Sequence, residues 1–173
     1  TGCRLSCMTS NGRWQRGAGR VAIERIQYPI DIALKQLETV KNLILLGTKV
    51  PVAFFAYPNK PSVLIPDSCK VFQMAGIDMD LVYAVEALAD ELDVHNHQPK
   101  KQEYSKPALM SGKLTSESIA CALGNLMPEN AIIADESVSS GRGFMPFTQG
   151  ANPHDWLALT GGSIGLGLPY ATG

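Results

Sequence analysis

Two stretches near the end of the sequence combine residue types that can bind and position a ligand. They are Asp135-Glu136-Ser137-Val138-Ser139-Ser140-Gly141 and Thr160-Gly161-Gly162-Ser163-Ile164-Gly165-Leu166-Gly167-Leu168-Pro169. The first follows the β-branched pair Ile132-Ile133, so it falls where a parallel strand delivers backbone N–H groups and hydroxyls to an anion at its carboxyl edge. Converging amides and hydroxyls can hold a phosphate there without an added lysine. The glycines at 161, 162, 165 and 167 allow a flat or anionic group to approach the backbone closely. Each stretch also has a plain structural alternative: a serine-rich β–α loop with no ligand, and glycines that serve only helix–strand packing. Spacing alone leaves both alternatives open.

The remaining chemistry-bearing candidates are weaker. Gly17-Ala18-Gly19-Arg20-Val21-Ala22 fits a dinucleotide-binding fingerprint with alanine in its last place. No strand is predicted before it, however, and Pro29 follows too soon for a long helix, so the segment reads as a turn. His95 and His97 lie in the polar run 95–103 with no third ligand in view, and read as solvated linker histidines rather than a metal pair. His154-Asp155 could face a substrate, since histidine titrates near neutral pH, or could sit in a surface loop; catalysis is not placed on it. Cys3, Cys7, Cys69 and Cys121 include no Cys-x-x-Cys and read as reduced, mostly buried thiols of a cytoplasmic protein, with no structural metal site.

The elements that must position the two stretches follow from periodicity. Ile30, Ala33, Leu34, Leu37 and Val40 recur at helical spacing after Tyr28-Pro29, and proline is tolerated in a first helical turn. Leu43-Ile44-Leu45-Leu46-Gly47 is a continuous apolar run ended by glycine, as expected of a strand buried on both faces. Val52 to Ala56 fits either a short helix or a strand, and Tyr57-Pro58-Asn59-Lys60-Pro61 is a turn. Val63-Leu64-Ile65 and Val71 to Met74 read as short strands. From Asp80, the stripe Leu81, Val82, Val85, Leu88, Ala89 and Leu92 predicts a helix packed on the sheet. A second helix opens at the N-cap Thr115 with Glu117 in its first turn and Ile119, Ala120, Ala122, Leu123 and Leu126 as its buried stripe. Met127-Pro128-Glu129-Asn130 stops it, and Ala131 to Ala134 is the strand that leads into the acidic and serine-rich loop. Residues 1–20 carry no period and read as loop or as the edge of a truncated domain. No internal repeat is evident.

The fold class expected is α/β, in two parts joined by a polar linker: residues 1–93, a linker over 94–113, and residues 114–173. The 173 residues, 45% of them apolar and 18% charged, suffice to bury a core and exclude a disordered chain. A net charge of −1 and a pI near 6.3, without a basic cluster interleaved with aromatics, exclude a nucleic-acid-binding role. No run approaches the length of a membrane span and no signal peptide opens the chain. A start at Thr1 rather than methionine suggests a fragment.

Glu136-Ser137-Val138-Ser139-Ser140 followed by Leu159-Thr-Gly-Gly-Ser-Ile-Gly-Leu-Gly-Leu-Pro169 resembles the start of the diphosphate-binding domain of thiamine diphosphate-dependent 2-oxo acid decarboxylases and carboligases. The likeness is to the branch of the acetolactate synthase large subunit and benzoylformate decarboxylase. Arg16 to Arg20, Leu43 to Gly47 and Pro51-Val-Ala-Phe-Phe-Ala-Tyr-Pro58 are similar to the Rossmann-like central domain of that branch. The resemblance therefore spans about Asn11 to Gly173 and leaves Thr1 to Ser10 unmatched. It implies the end of a central domain followed by the start of the diphosphate-binding domain.

By position, the resemblance implies that Val138, through its backbone, and Ser139 contact the cofactor's diphosphate. It implies that the Gly162 carbonyl meets the cofactor's aminopyrimidine, and that Ile164 is the wedge under its bend. It assigns no catalytic residue here: the activating glutamate is expected in an N-terminal domain and is not Glu136. The Mg2+ ligands, a Gly-Asp-Gly and a later asparagine, are expected beyond Gly173. It further implies a small 2-oxo acid substrate and a homodimer or homotetramer for the intact enzyme, with the fragment alone inactive. The rivals are a benzoylformate-type decarboxylase and, from another class, a non-catalytic nucleotide-binding or interaction module that uses Gly17 to Ala22.

Overall fold

The computed structural model describes residues 2–141 and 143–173. Its elements, in chain order, are β1 (Ser6–Cys7), β2 (Arg13–Arg16), β3 (Glu24–Arg25), α1 (Ile30–Leu37), β4 (Asn42–Leu46), β5 (Lys70–Ala75), α2 (Leu81–Glu91), α3 (Ser116–Leu126), β6 (Ala131–Asp135), α4 (Phe144–Thr148), β7 (His154–Ala158) and α5 (Gly167–Thr172). The chain is mixed α/β with small sheets. It divides into a unit made of residues 1–5, 10–24 and 99–173 and a unit made of residues 6–9 and 25–98. The division falls between Gln98 and Pro99, inside the stretch 94–113, and residues 10–24 group with 99–173.

In the unit formed by 6–9 and 25–98, α1 starts after Pro29, whose φ of −64° suits a helix entry. Ile30, Ala33 and Leu37 share one face of α1 and join Ile26 and Leu64 in a buried cluster. β4 and β5 pair in parallel, with Leu43 opposite Val71 and Ile44 opposite Phe72, and the register shifts between Leu45 and Leu46. The expectation that β4 is buried on both faces is overturned: only Leu45 is buried, and Ile44 is 59% exposed. The faces of a parallel sheet are covered by helices, and Ile44 and Leu46 are left without such cover, which is why an apolar run alone overstated the burial of β4.

Helix α2 is well capped, since the Asp80 carboxylate accepts from Val82 N–H at 3.1 Å and Tyr83 N–H at 3.0 Å. Its predicted core stripe is nevertheless exposed at Val82, Val85, Leu88 and Leu92, and none of its residues is buried. The helix contacts β5, its half-buried residues are Leu81, Ala84, Ala87 and Ala89, and Leu81 lies close against Gly47. Residues 52–56 are neither helix nor strand, and Val52 and Val63 meet in one isolated bridge. The aromatic residues there, Tyr28, Phe54, Phe55 and Tyr57, meet in tilted and edge-to-face contacts with centroids 4.8–6.3 Å apart.

In the unit formed by 1–5, 10–24 and 99–173, a three-stranded sheet has the order β2-β7-β6. β2 runs antiparallel to β7, with Trp14 opposite Trp156, and β6 runs parallel to β7, with Ile133 opposite Trp156. β7 alternates buried and half-buried residues along its length, the period of a strand with one face inward. The predicted loop over residues 1–20 thus contains a strand, because Arg-Trp-Gln-Arg carries only one apolar residue to reveal its inward face; Thr1 lies outside the described residues.

Helix α3 is fixed by a reciprocal capping box. Thr115 Oγ1 accepts from Ser118 N–H and Ser118 Oγ accepts from Thr115 N–H, at 3.1 Å and 2.8 Å. Its buried face is Ala120, Cys121 and Gly124, not the larger stripe expected, for Ile119 and Leu126 are exposed. The small residues face inward because α4 crosses there: a side chain on Gly124 would meet the Phe147 carbonyl and Pro107. Of the four cysteines only Cys121 is buried, which corrects the expectation of mostly buried thiols.

Candidate functional site

The two ligand-type stretches hang from consecutive residues at the end of β6. Successive side chains of a strand face opposite ways, and here Asp135 and Glu136 serve different partners. The Asp135 carboxylate accepts from the Trp156 indole N–H at 3.0 Å on the neighbouring strand, from Ser137 N–H at 2.9 Å and from the Ser137 hydroxyl. It therefore ties the start of the serine-rich loop to the sheet. The Glu136 carboxylate accepts from Gly165 N–H through one oxygen and from Gly167 N–H, at 2.7 Å, through the other. These backbone hydrogen bonds, that from Gly165 first and then that from Gly167, hold the Glu136 carboxyl below the usual glutamate range, against a smaller opposing effect of burial.

After Glu136 the chain turns tightly. Val138 N–H donates to the Glu136 carbonyl at 2.9 Å, and Gly141 N–H donates to the Ser137 carbonyl at 3.2 Å. Val138 is 62% exposed and Ser139 is exposed as well. The glycine turn closes on itself, with Ser163 N–H on the Thr160 carbonyl at 3.2 Å, Ile164 N–H on the Gly162 carbonyl at 2.9 Å and Leu166 N–H on the Ser163 carbonyl at 3.2 Å. Gly161, Gly162 and Gly165 have φ of 61°, 72° and 94°, a backbone region that L side chains rarely adopt. A Cβ at Gly161 or Gly165 would meet no atom within 4 Å, so both face open space. Ile164 at the crest is 89% exposed.

Of the four residues proposed from resemblance, Val138 and Ser139 thus lie on the loop that Asp135 starts, and Gly162 and Ile164 lie on the turn that Glu136 holds. A separate cleft of about 300 Å³, lined in part by Gln102, Ser105, Pro107, Phe147 and Gln149, contains none of them.

The other candidates find structural roles. Ala18 N–H donates to the Ala151 carbonyl and Gly19 N–H to the Gln102 carbonyl, each at 2.9 Å, so these amides of the glycine fingerprint are engaged within the protein. His95 sits against the Asp90 carboxylate and is exposed, as is His97. Among the described residues no three His, Cys, Asp or Glu side chains group as a metal site would require.

His154 is no surface residue. It opens β7, is 3% exposed, and places its Nδ1 2.7 Å from the Asn152 carbonyl while its buried Nε2 has no hydrogen-bond partner. Burial depresses its pKa, the Asn152 contact raises it, the nearby Arg16 lowers it and Asp155 raises it, with a net fall. Arg16, opposite His154 in the register of β2 and β7, donates through Nη2 to the Met145 carbonyl at 2.7 Å and lies 5.5 Å over the Trp156 ring. Sequence patterning does not reveal this buried polar set, although the alternation across His154-Asp155-Trp156-Leu157-Ala158 is a strand signal.

No helix among the described residues is long and apolar enough to cross a membrane. No family model matches the chain, and no solved structure matches it. A protein of Mycobacterium tuberculosis (strain ATCC 25618 / H37Rv) named "Putative acetolactate synthase large subunit IlvX" is 46% identical to it over 175 residues, which take in all of this chain. The chain spans 33% of the length of that curated relative. Over its whole length, then, the chain is similar to one third of a protein named for the large subunit of an acetolactate synthase.

Proposed function

We propose that this chain belongs to a thiamine diphosphate-dependent enzyme of acetolactate synthase type and contributes the diphosphate loop and the wedge of its cofactor site. The observation that carries the reading is the pair of hydrogen bonds from Gly165 and Gly167 to Glu136, which unite the serine loop and the glycine turn at one strand end. The 46% identity to the mycobacterial protein supports it. The Rossmann-like character of the N-terminal part and the diphosphate-binding character of the C-terminal part belong to the same proposal.

The residues present fit such a group. The left-handed glycines 161 and 165 leave open space where a side chain would otherwise stand, and Ser139 is exposed on the serine-rich loop. When bound, the cofactor supplies the electron sink for decarboxylation of a 2-oxo acid and for transfer of the resulting fragment to a second carbonyl. Ser139 would donate to the diphosphate through its hydroxyl. The Gly162 carbonyl accepts from Ile164 N–H and keeps a second lone pair for an amino donor. Ile164 would hold the bound group bent, which brings reacting atoms together without a collision step. Mg2+ belongs to the same proposal, with no ligand in this chain. So do a small 2-oxo acid substrate, a homodimeric or homotetrameric assembly and a cytoplasmic location.

The test is a titration of the full gene product with thiamine diphosphate and Mg2+ by calorimetry, followed by assays with pyruvate and benzoylformate. Saturable binding and pyruvate consumption are expected. Consumption of benzoylformate alone would shift the reading to a simple decarboxylase. Absence of cofactor binding, or calorimetric binding of an adenine nucleotide mapped to Gly17 to Ala22, would overturn it.

A further inference from the structure

We propose that Glu136 is the positioning residue of this site: its carboxylate sets where the glycine turn stands over the end of β6 and thereby places Ile164. The inference rests on the function proposed above and assigns Glu136 a part that is neither catalytic nor cofactor-contacting. Both oxygens of the carboxylate are engaged, one by Gly165 N–H and the other by Gly167 N–H. An ionised carboxylate accepting from two backbone donors makes a stronger tie than neutral pairs do. The turn's own hydrogen bonds, among residues 160–166, run between near neighbours in sequence, so they shape the turn without fixing it to the sheet.

A second observation is independent of those hydrogen bonds. Gly167 needs no left-handed backbone, because its φ is not positive. A side chain there would instead stand 2.9 Å from both Cβ and Oε2 of Glu136. Glycine at 167 is therefore explained by the closeness of Glu136, and the two residues are matched in shape as well as in hydrogen bonding. The base of the tie is itself fixed, since Asp135, the preceding residue, is held by Trp156 on β7 and by Ser137. The ionised state favoured by the Gly165 and Gly167 hydrogen bonds suits an acceptor and leaves the group a weak base.

The experiment compares wild type, Glu136→Ala, Glu136→Gln and Gly167→Ala in the full gene product. It uses hydrogen–deuterium exchange of peptides covering 160–170 and 131–135, and calorimetric titration with thiamine diphosphate and Mg2+. Glu136→Ala, which removes both hydrogen bonds, should speed exchange in 160–170 while leaving 131–135 unchanged, and should weaken cofactor binding by about tenfold or more, since one hydrogen bond to a charged group is worth about that factor. Glu136→Gln, which keeps one acceptor oxygen, should fall between Glu136→Ala and wild type. Gly167→Ala should reproduce Glu136→Ala by displacing the carboxylate, and it serves with Glu136→Gln if Glu136→Ala does not fold. Unchanged exchange in 160–170, or equal loss of protection in 131–135, would overturn the inference. Wild type that fails to bind the cofactor while exchange in 160–170 still responds would overturn the proposed function and leave the tie standing.

Discussion

The indole N–H of Trp156 donates to the Asp135 carboxylate at 3.0 Å between adjacent parallel strands. Trp156 is fully buried, so its polar atom needs this partner. Trp156→Phe removes the donor and part of the ring volume together. It should lower the unfolding free energy by about 2 kcal/mol or more, measured by urea denaturation. Trp14 and Trp156 are the two tryptophans of the chain and both lie in the unit that contains residues 99–173. In this variant Trp14 fluorescence still reports that unit.

Histidine 154 should make stability depend on pH. Its pKa is lowered in the folded protein, first by burial, with Arg16 adding to the fall while Asn152 and Asp155 oppose it. The unfolded chain, with histidine near 6.5, therefore takes up the proton at a higher pH than the folded one. Stability contributed by neutral His154 is complete above that pH and is lost as pH falls below it, by at most about 1.4 kcal/mol per pH unit. Urea midpoints read by tryptophan fluorescence at pH 7 and pH 5 should differ in wild type. The difference should shrink in His154→Phe, and an equal difference would refute the assignment.

Gly124→Ala should separate α3 from α4. The added methyl would press on the Phe147 carbonyl and stand 3.0 Å from Pro107 Cγ. Overpacking of this kind costs about 1–3 kcal/mol, although alanine is the better helix former. A thermal midpoint at or above that of wild type would show that the two helices can move apart freely.

Thr115→Ala opens the capping box of α3, in which Thr115 and Ser118 each satisfy the other's backbone N–H. The expected loss is about 1 kcal/mol, followed by circular dichroism during thermal unfolding. Thr115→Ser, which keeps the oxygen, should restore most of it.

Ile164→Ala separates function from folding. The side chain is 89% exposed, so its truncation should change stability by no more than about 0.5 kcal/mol. On the function proposed here, the same change in the full gene product should reduce kcat at least tenfold at saturating cofactor. Unchanged turnover would remove Ile164 from the wedge role.

Helices α1, α2 and α3, and strands β4, β5 and β6, were legible in the sequence because each carries a period or a cap of its own. Asp80 and Thr115 announce their helices through side chains that hydrogen-bond within three residues. Burial was less legible. Val82 and Val85 have the pattern of a core stripe and are exposed, because a moment along a helix shows which residues share a face and not what covers it. β2 is illegible for a related reason: Arg16, a cation, stands on the side of Trp14, where an apolar residue would signal an inner face. In the candidate site, the glycine turn and the serine loop were both legible. The carboxylate that joins them was visible as Glu136, but the spacing of 29 residues to Gly165 carries no local signal of contact.

The pairing of β2 with β7 has a consequence for synthesis. Arg13 and Asp155 form an ion pair at 2.8 Å across 142 residues of sequence, with the whole of 25–98 intervening. Residues 25–98 can bury Ile26, Ile30, Ala33, Leu37 and Leu64 as soon as they leave the ribosome, whereas β2 waits for the arrival of β7. Pairings of such separation form late because closure of the loop costs entropy before any contact repays it. During that interval Trp14 has no β7 to pack against and the edge of its strand is unpaired.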